Sequence, residues 1–155
     1  MYVYDVKEKK KVKISISTIG KEEIASLREF EFNWQLETGN EIYKLTVKKS
    51  NEVIGLVSFE RFFEELRIEI RLLEISKLNI GKLKKYERVA GILIAFACKE
   101  SFVSGFYGFV SLVPKTKLIK HYIEKYGFKQ FGRHLAVEFE SSEKLINKYL
   151  IDEEN

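Results

Sequence analysis

Hydrophobic and polar residues alternate through residues 66–76, and this alternation slips once. Its first part has apolar residues at every second position: Leu66, Ile68, Ile70 and Leu72. Such spacing is typical of a strand with one buried face. Leu72 and Leu73 are adjacent, and the alternation then resumes at Ile75 with the opposite phase. Because a one-residue slip moves every later side chain to the other face, the pattern predicts a β-bulge that bends this strand.

A basic segment and then an apolar run follow this strand. Residues 91–98 contain no polar side chain, which predicts a buried helix packed on the sheet. The segment before the run carries four cationic residues: Lys82, Lys84, Lys85 and Arg88. A helix N-terminus presents unpaired N–H groups and a partial positive charge, so this arrangement suits an anion such as phosphate. A solvated basic loop explains the same charges equally well.

The rest of the chain predicts strands and helices on both sides of this region. Alternation and flanking turn residues predict strands at residues 12–16, 43–47, 53–62, 109–113, 128–131 and 135–139. Amphipathic spacing predicts helices near residues 18–30 and 118–126, the second capped by Thr116, and a last helix that opens at Ser141 or Ser142. Hairpins are antiparallel, whereas a right-handed helical crossover makes two strands parallel. We therefore expect one α/β domain over residues 1–155, with a mixed, mostly antiparallel sheet.

Composition and net charge indicate which kind of ligand and which cellular compartment to expect. A chain of 155 residues, 45% of them hydrophobic, is long enough to bury one core. The net charge of +4 favours an anionic ligand without requiring nucleic acid, and we interpret the lysines of residues 7–13 as a solvated end. The single cysteine, Cys98, is predicted to be a core residue of a cytoplasmic protein. We expect no membrane segment, no signal peptide and no metal site.

Two motifs in this order resemble the Gcn5-related N-acetyltransferase (GNAT) family. Residues 85–90, Lys-Tyr-Glu-Arg-Val-Ala, are similar to the family's Gln/Arg-x-x-Gly-x-Gly/Ala motif at the start of the helix after the bulged strand. Residues 122–128 are similar to the family's Tyr-Glu-Lys-x-Gly-Phe ending of a later helix. Two positions depart from these motifs: Arg88 stands where the family has its first glycine, and Ile123 stands where it has tyrosine, one place after Tyr122. The resemblance covers about residues 42–139.

The resemblance implies a fold, a cofactor and the residues that hold it. The implied fold is a twisted, mostly antiparallel mixed sheet with a bulged fourth strand and helices on both faces. The implied co-substrate is acetyl-CoA. Its pantetheine arm would bond to the opened strand edge at Leu73, Glu74 and Ile75. Its pyrophosphate would be held by the loop and first helical turn, namely Lys85, Tyr86, Glu87, Arg88, Val89, Ala90 and Gly91.

Acyl transfer from a thioester to an amine also requires proton transfers. We name Glu74, beside the bulge, as the candidate base, with Glu69 as the second choice; each is also consistent with a solvent-facing strand carboxylate. Tyr122 is the candidate acid because it lies beside the family's tyrosine position, and packing in the core explains it as well. Tyr126 is a second option for the acid. His121 and His134 have no recognisable partner in the sequence and are interpreted as surface or structural residues.

Two functions remain open at this stage. The first is an acetyl-CoA-dependent N-acetyltransferase that acts on a primary amine of a small molecule or peptide, as a monomer or homodimer. The alternative is a non-catalytic domain of the same fold that binds CoA or a macromolecular partner, which the departures at Arg88 and Ile123 favour. For the acceptor cleft we consider a wall formed by Phe32, Trp34 and the acidic residues Glu60, Glu64 and Glu65, although packing over the core is the simpler interpretation of Phe32 and Trp34.

Overall fold

The computed structural model describes residues 1–114 and 118–151, and these residues form a twisted sheet of nine strands. In chain order the strands are β1 Tyr2–Asp5, β2 Lys10–Thr18, β3 Glu41–Val47, β4 Val53–Phe62, β5 Arg67–Ile75, β6 Tyr86–Glu87, β7 Val110–Leu112, β8 Lys129–Phe131 and β9 His134–Val137. Their order across the sheet is β6-β1-β2-β3-β4-β5-β7-β9-β8. Only β5 and β7 pair in parallel among the described strands, which confirms the predicted mixed, mostly antiparallel sheet.

Helices cover both faces of this sheet. The α-helices of the described residues are α1 Lys21–Ser26, α2 Val89–Val103, α3 Ile119–Tyr126 and α4 Phe139–Tyr149, and two short 3-10 helices span Trp34–Glu37 and Lys77–Asn79. The apolar α2 packs between the sheet and α4 in the main core. On the other face, Ile24 of α1 and Trp34 form a second cluster with Ile42 and Leu56 of the sheet. The predicted helix cap Thr116 lies outside the described residues.

The predicted slip in the pattern is a β-bulge in β5. Ser58 of β4 pairs with Leu72, but the next residue, Phe59, pairs with Ile70, so Arg71 has no partner of its own on β4. Ile70 and Leu73 both pack into the main core as a result, while Leu72 packs into the second cluster. The bulge belongs to the fifth strand here, because β1 precedes the strand that the pattern predicts as the first.

Beyond the bulge, β5 separates from its parallel neighbour. The pairing of β5 with β7 runs from Ile68 with Val110 to Ile70 with Leu112 and then ends. Its pairing with β4 continues to Ile75. Residues 71–75 therefore have one paired edge and one edge that faces the gap between the two strands.

Several boundaries differ from the sequence-based expectation: α1, for example, spans Lys21–Ser26 instead of residues 18–30, because Thr18 belongs to β2. The N-terminal residues form β1, which pairs with β2 and with β6, because Val3 enters the core while the lysines after it stay exposed. The last helix begins at Phe139, two residues before the predicted Ser141, and the strand before it ends at Val137. Alternating and helical patterns overlap at residues 138–142, so the sequence pattern alone does not mark this boundary.

Candidate functional site

One continuous groove follows the open edge of β5. It consists of three adjoining cavities of about 220, 300 and 430 Å³, at the N-terminus of α2, along the edge of β5 and at the gap between β5 and β7. Ala90 and His121 line both the first and the second cavity. Leu73 and Tyr122 line both the second and the third. These shared walls make one path from the start of α2 to the separated strands.

The N-terminus of α2 opens onto the first cavity. The first bond within this helix runs from the Ile92 N–H to the Arg88 carbonyl, at 3.0 Å, and Arg88, the residue at the cap position, makes no side-chain capping bond. The N–H groups of the preceding turn, at Val89, Ala90 and Gly91, are thus the unpaired donors typical of a helix start. Two lysines from different elements, Lys84 and Lys125, also line this cavity. The arrangement fits an anionic group.

Arg88 holds the start of α2 to two other parts of the chain. Its guanidinium lies 4.2 Å from the centre of the Tyr2 ring and 5.1 Å from that of Tyr149. It also donates to the Lys148 carbonyl at 2.9 Å. The backbone of Arg88 is left-handed, with φ of 86°. Arg88 thus adopts the conformation for which glycine is suited, and its side chain joins β1 and the end of α4.

Gly91 permits the close approach of α2 and α4. A Cβ atom built on Gly91 would lie 2.3 Å from the ring of Tyr149. Real carbon contacts are far longer, so any larger residue at this position would displace Tyr149. Gly91 lines the first cavity, but the space beside its Cα is filled by this ring.

The backbone of β5 faces the groove at alternate residues. Ser76 donates its N–H to the Ile54 carbonyl of β4, at 3.0 Å. Since successive residues of an antiparallel strand direct their backbone groups to opposite sides, Glu74 bonds toward β4, whereas Leu73 and Ile75 direct their backbone groups to the open edge. Of the three residues predicted at this edge, two therefore present backbone donors and acceptors to the groove.

The Glu74 side chain fastens a loop to this edge. Its Oε2 accepts the Glu31 backbone N–H at 2.6 Å, and its Oε1 accepts the Phe32 backbone N–H at 3.1 Å and the Trp34 indole N–H at 2.8 Å. Trp34 is only 3% exposed and belongs to the second cluster, so it packs in a core, the simpler of its two interpretations, and does not wall the groove. Phe32 does line the groove, in its second and third cavities.

The structure is similar to acetyltransferase structures over about four-fifths of its length. With the spermidine N-acetyltransferase of Vibrio cholerae in complex with CoA and spermine, the TM-score is 0.62 and the identity 14%, over 83% of this chain and 97% of that chain. The fold is that of the Gcn5-related N-acetyltransferases. A dodecameric structure of the same Vibrio enzyme gives a TM-score of 0.60 at 14% identity, over 81% of this chain and 94% of that one.

A second similar structure is that of a Bacillus anthracis protein. This protein, provisionally a streptothricin acetyltransferase, is in complex with acetyl coenzyme A and matches with a TM-score of 0.58 and 13% identity, over 80% of this chain and 95% of that one. No protein-family model matches the sequence, and no curated protein matches it. The likeness is therefore one of fold, which the sequence resemblance had predicted.

In this acetyltransferase fold, Tyr122 faces the groove and Ile123 does not. Tyr122 lines the second and third cavities, and its ring packs 5.6 Å from that of Phe128 and 5.9 Å from that of Tyr126. Burial raises the pKa of the Tyr122 phenol, so this group stays protonated at neutral pH. Ile123 is 39% exposed. Since adjacent helical residues point about 100° apart, the one-place offset directs the tyrosine toward the groove.

Several groove residues were not among the predicted site residues, including Lys84, Lys125 and His121. Lys84 lines the first cavity, whereas the predicted Lys85 places its ammonium 5.3 Å from the centre of the Tyr86 ring. His121 lines the first two cavities, although it was interpreted as a surface or structural residue. The helical spacing of α3 contains the information that would have identified it. One face carries the groove residues at intervals of three and four: Leu118, His121, Tyr122, Lys125 and Tyr126.

The other candidate residues lie outside the groove. Glu69 bonds to the His134 ring nitrogen at 2.8 Å and to Arg67 at 3.1 Å, so His134 does have a partner. Glu60 lies 3.4 Å from the Arg71 guanidinium, and Glu65 lies 3.2 Å from Arg67. None of these carboxylates is among the residues that line the three cavities.

The described part of the chain contains neither a candidate metal-binding group nor a membrane-spanning helix. Across residues 1–114 and 118–151, His, Cys, Asp and Glu form no group of three or more that could hold a metal ion. No helix in these two ranges combines the length and the apolar character needed to cross a membrane.

Proposed function

We propose that this protein is an acetyl-CoA-dependent N-acetyltransferase that acylates a primary amine. The observation that carries the proposal is the single groove, which joins an uncapped helix N-terminus to the open edge of a bulged strand. A ligand with an anionic part, an amide-bearing arm and a reactive end matches those features in order. Structures of the same fold that hold CoA or acetyl-CoA support this assignment.

The residues of the groove fit such a ligand. The first-turn N–H groups of Val89, Ala90 and Gly91, with Lys84 and Lys125, would hold the pyrophosphate. The backbone groups of Leu73 and Ile75 would bond to the pantetheine amides. When bound, acetyl-CoA supplies a thioester, which is an activated acyl donor. In this account the chain positions the donor and the acceptor, which can supply a large part of the rate enhancement.

Proton transfer is assigned to one side chain and orientation to another. As the acceptor nitrogen attacks the thioester carbonyl, a C–N bond forms and the C–S bond breaks. We assign the Tyr122 hydroxyl as the donor of the proton that the leaving sulfur takes up. The Glu74 carboxylate holds residues 31–34 through three hydrogen bonds, which use three of its roughly four lone-pair positions. We therefore assign Glu74 a positioning role, and the amine's surplus proton leaves to water.

A non-catalytic domain that binds CoA is the second candidate. The observation in its favour is at the loop before α2, where Tyr86 and Glu87 pair with β1 and Arg88 replaces the motif's glycine. These contacts use backbone and side-chain groups that the motif otherwise leaves for phosphate. This candidate predicts that acetyl-CoA binds but that no amine is acetylated.

Titration calorimetry with acetyl-CoA tests the cofactor site. Ala90 lies in the first turn of α2 and lines two of the cavities. Ala90→Glu places a carboxylate beside the expected pyrophosphate, while Ala90→Gln adds a side chain of the same size without the charge. We expect the Glu variant to bind at least about tenfold more weakly than the Gln variant, an effect of roughly 1.4 kcal/mol. Ala90 is partly buried against the main core, so circular dichroism of both variants must show that each is folded, and the Gln variant controls for the added bulk.

The outcomes separate the two functions. Binding by the wild type that Ala90→Glu selectively weakens, together with acetylation of any primary amine, supports the enzyme. Binding without turnover of amines across a broad panel supports the non-catalytic domain. A folded wild-type protein that does not bind acetyl-CoA refutes both.

A further inference from the structure

The third cavity is lined mainly by apolar side chains. It lies where β5 and β7 separate, at the end of the groove away from the N-terminus of α2. Its lining includes six aliphatic side chains: Ile70, Leu72, Leu73, Leu112, Val113 and Leu118. Pro114 and two aromatic side chains, Phe32 and Tyr122, also line it. Three of these residues remain substantially exposed: Val113 at 59%, Phe32 at 39% and Leu118 at 37%. Apolar side chains left in contact with water around a cavity favour an apolar ligand.

Charge at this cavity is scarce and already neutralised. Arg71 is its one charged lining residue within the described part of the chain. The Arg71 guanidinium donates to Glu37 at 2.9 Å and lies 3.4 Å from Glu60. Neither of these carboxylates lines the cavity. A cation that entered here would lose hydration without gaining a carboxylate partner.

The neighbouring second cavity has more charged side chains in its lining. Two carboxylates, Glu31 and Glu74, line it together with Lys77. Leu73 and Tyr122 belong to both cavities, so the polar and the apolar region meet at the proposed proton donor. A molecule lying across this junction would meet polar groups at one end and an apolar pocket at the other.

We propose that the acceptor is a primary amine attached to an apolar or aromatic body, and that polyamines are poor acceptors. This inference rests on the proposed acetyltransferase function. The amine lies at the junction beside Tyr122, and the body fills the apolar cavity between Phe32 and Tyr122. A polyamine places a second ammonium in that cavity, where it finds no carboxylate. The body belongs either to a free arylalkylamine or to a hydrophobic residue at the N-terminus of a peptide.

The body contributes binding by removing apolar surface from water. Burial of apolar surface stabilises a complex by about 25 cal/mol per Å². A phenyl group that fills the cavity should therefore bind more tightly than a short polar chain of similar length. The position of Phe32 is defined because the Glu74 carboxylate accepts its N–H at 3.1 Å. The cavity therefore has one wall fixed to β5 and one formed by α3.

Thiol release from acetyl-CoA by the full chain measures acceptor preference. The probes are phenethylamine, phenylalaninamide, a peptide that begins with phenylalanine, and spermidine. We expect kcat/KM for phenethylamine or for the phenylalanine probes to exceed that for spermidine by at least about tenfold. Preference for phenethylamine identifies a free amine as the source of the body, and preference for the peptide identifies a protein N-terminus.

A charge variant with a matched control makes the test specific to the cavity. Val113→Asp places a carboxylate in its lining and should lower kcat/KM for the aromatic probe about tenfold while raising it for spermidine. Val103→Asp makes the same change at a residue that is 72% exposed and lies outside the three cavities, and it should alter neither value. Circular dichroism and urea unfolding of both variants show whether each remains folded.

The failure of this inference is distinguishable from that of the proposed function. Spermidine turned over as well as or better than the aromatic probes overturns the acceptor class but leaves the acetyltransferase standing. A Val113→Asp variant that is folded and retains the wild-type preference also overturns it. Absence of both acetyl-CoA binding and thiol release refutes the proposed function itself.

Discussion

The carboxylate of Glu74 accepts the indole N–H of Trp34 at 2.8 Å, across the edge of β5. Trp34 is buried in the second cluster, while the Leu73 and Ile75 neighbours of Glu74 pack toward the main core. The bond therefore ties the loop at residues 31–34 to the strand just after its bulge. It sets the distance between the open strand edge and Phe32, which forms a wall of the groove.

Replacement of Glu74 by glutamine should loosen this loop. The amide offers one acceptor oxygen instead of two, and its NH₂ group would face N–H donors. We expect Glu74→Gln to reduce the free energy of unfolding by about 1–3 kcal/mol and to raise KM for the acceptor. Urea unfolding and steady-state kinetics measure the two effects. Glu60→Gln, at an exposed carboxylate 3.4 Å from Arg71, is the control and should change stability by no more than about 0.5 kcal/mol.

The same variant tests the role of Glu74 as a base. A general base contributes about 10²–10⁴-fold to the rate, so its loss would reduce kcat and remove the acid limb of the pH profile while leaving stability nearly unchanged. A positioning residue affects stability and KM and leaves the shape of the kcat profile intact. A lower kcat and a lost acid limb, with stability nearly unchanged, would return Glu74 to the catalytic role predicted from the sequence.

Replacement of Tyr122 by phenylalanine should impair the chemical step. The loss of the hydroxyl is expected to lower kcat by about 10²-fold or more with little change in KM for acetyl-CoA. Tyr107→Phe, at a residue that is 66% exposed and outside the groove, should leave kcat unchanged. A kcat for Tyr122→Phe within twofold of the wild type would show that Tyr122 only packs.

The pH dependence of Tyr122 follows from the direction of its shift. Burial raises the pKa of the phenol above its ordinary value, so the acid form that donates a proton persists through neutral and moderately alkaline pH. The wild-type kcat should therefore show no loss from this group below about pH 10. A fall of kcat near neutral pH that Tyr122→Phe abolishes would contradict this assignment.

Arg88 combines a strained backbone with favourable side-chain contacts, and two substitutions separate them. Arg88→Ala loses the contacts with Tyr2, Tyr149 and the Lys148 carbonyl but keeps a left-handed residue that bears a Cβ. Arg88→Gly loses the same contacts and relieves the backbone. We expect both variants to be less stable than the wild type, and Arg88→Gly to be more stable than Arg88→Ala by about 1 kcal/mol in urea unfolding. Equal stabilities would show that the left-handed conformation carries no cost here.

Gly91 should tolerate no side chain unless Tyr149 is changed with it. Gly91→Ala forces the Tyr149 ring away and should reduce stability by about 1–3 kcal/mol. Gly39→Ala, at a glycine with no atom within 4 Å of the added Cβ, should change it by no more than about 0.5 kcal/mol. The double variant with Tyr149→Leu should recover part of the loss relative to Tyr149→Leu alone. No recovery would mean that the Tyr149 ring is not the obstacle.

Local patterns alone predicted the central elements of this fold. The slip at Leu72 and Leu73 predicted the bulge, because successive side chains of a regular strand point to opposite faces. The apolar run at residues 91–98 predicted the buried α2, while anion binding by the basic segment before it stays a prediction. In each case the physical cause acts over a few residues, so that it can be read without knowing what packs against them.

Tertiary structure decided which side chains share the groove. Glu74 bonds to residues forty or more positions earlier in the chain, and Arg88 lies between the rings of Tyr2 and Tyr149, which come from opposite ends of the chain. Lys84 rather than Lys85 lines the first cavity, and Tyr122 rather than Ile123 faces the second. The reason is that the orientation of a loop or helix depends on what it packs against. The third cavity likewise exists only where β5 and β7 separate. Sequence determines which residues are available, whereas long-range packing determines which of them meet.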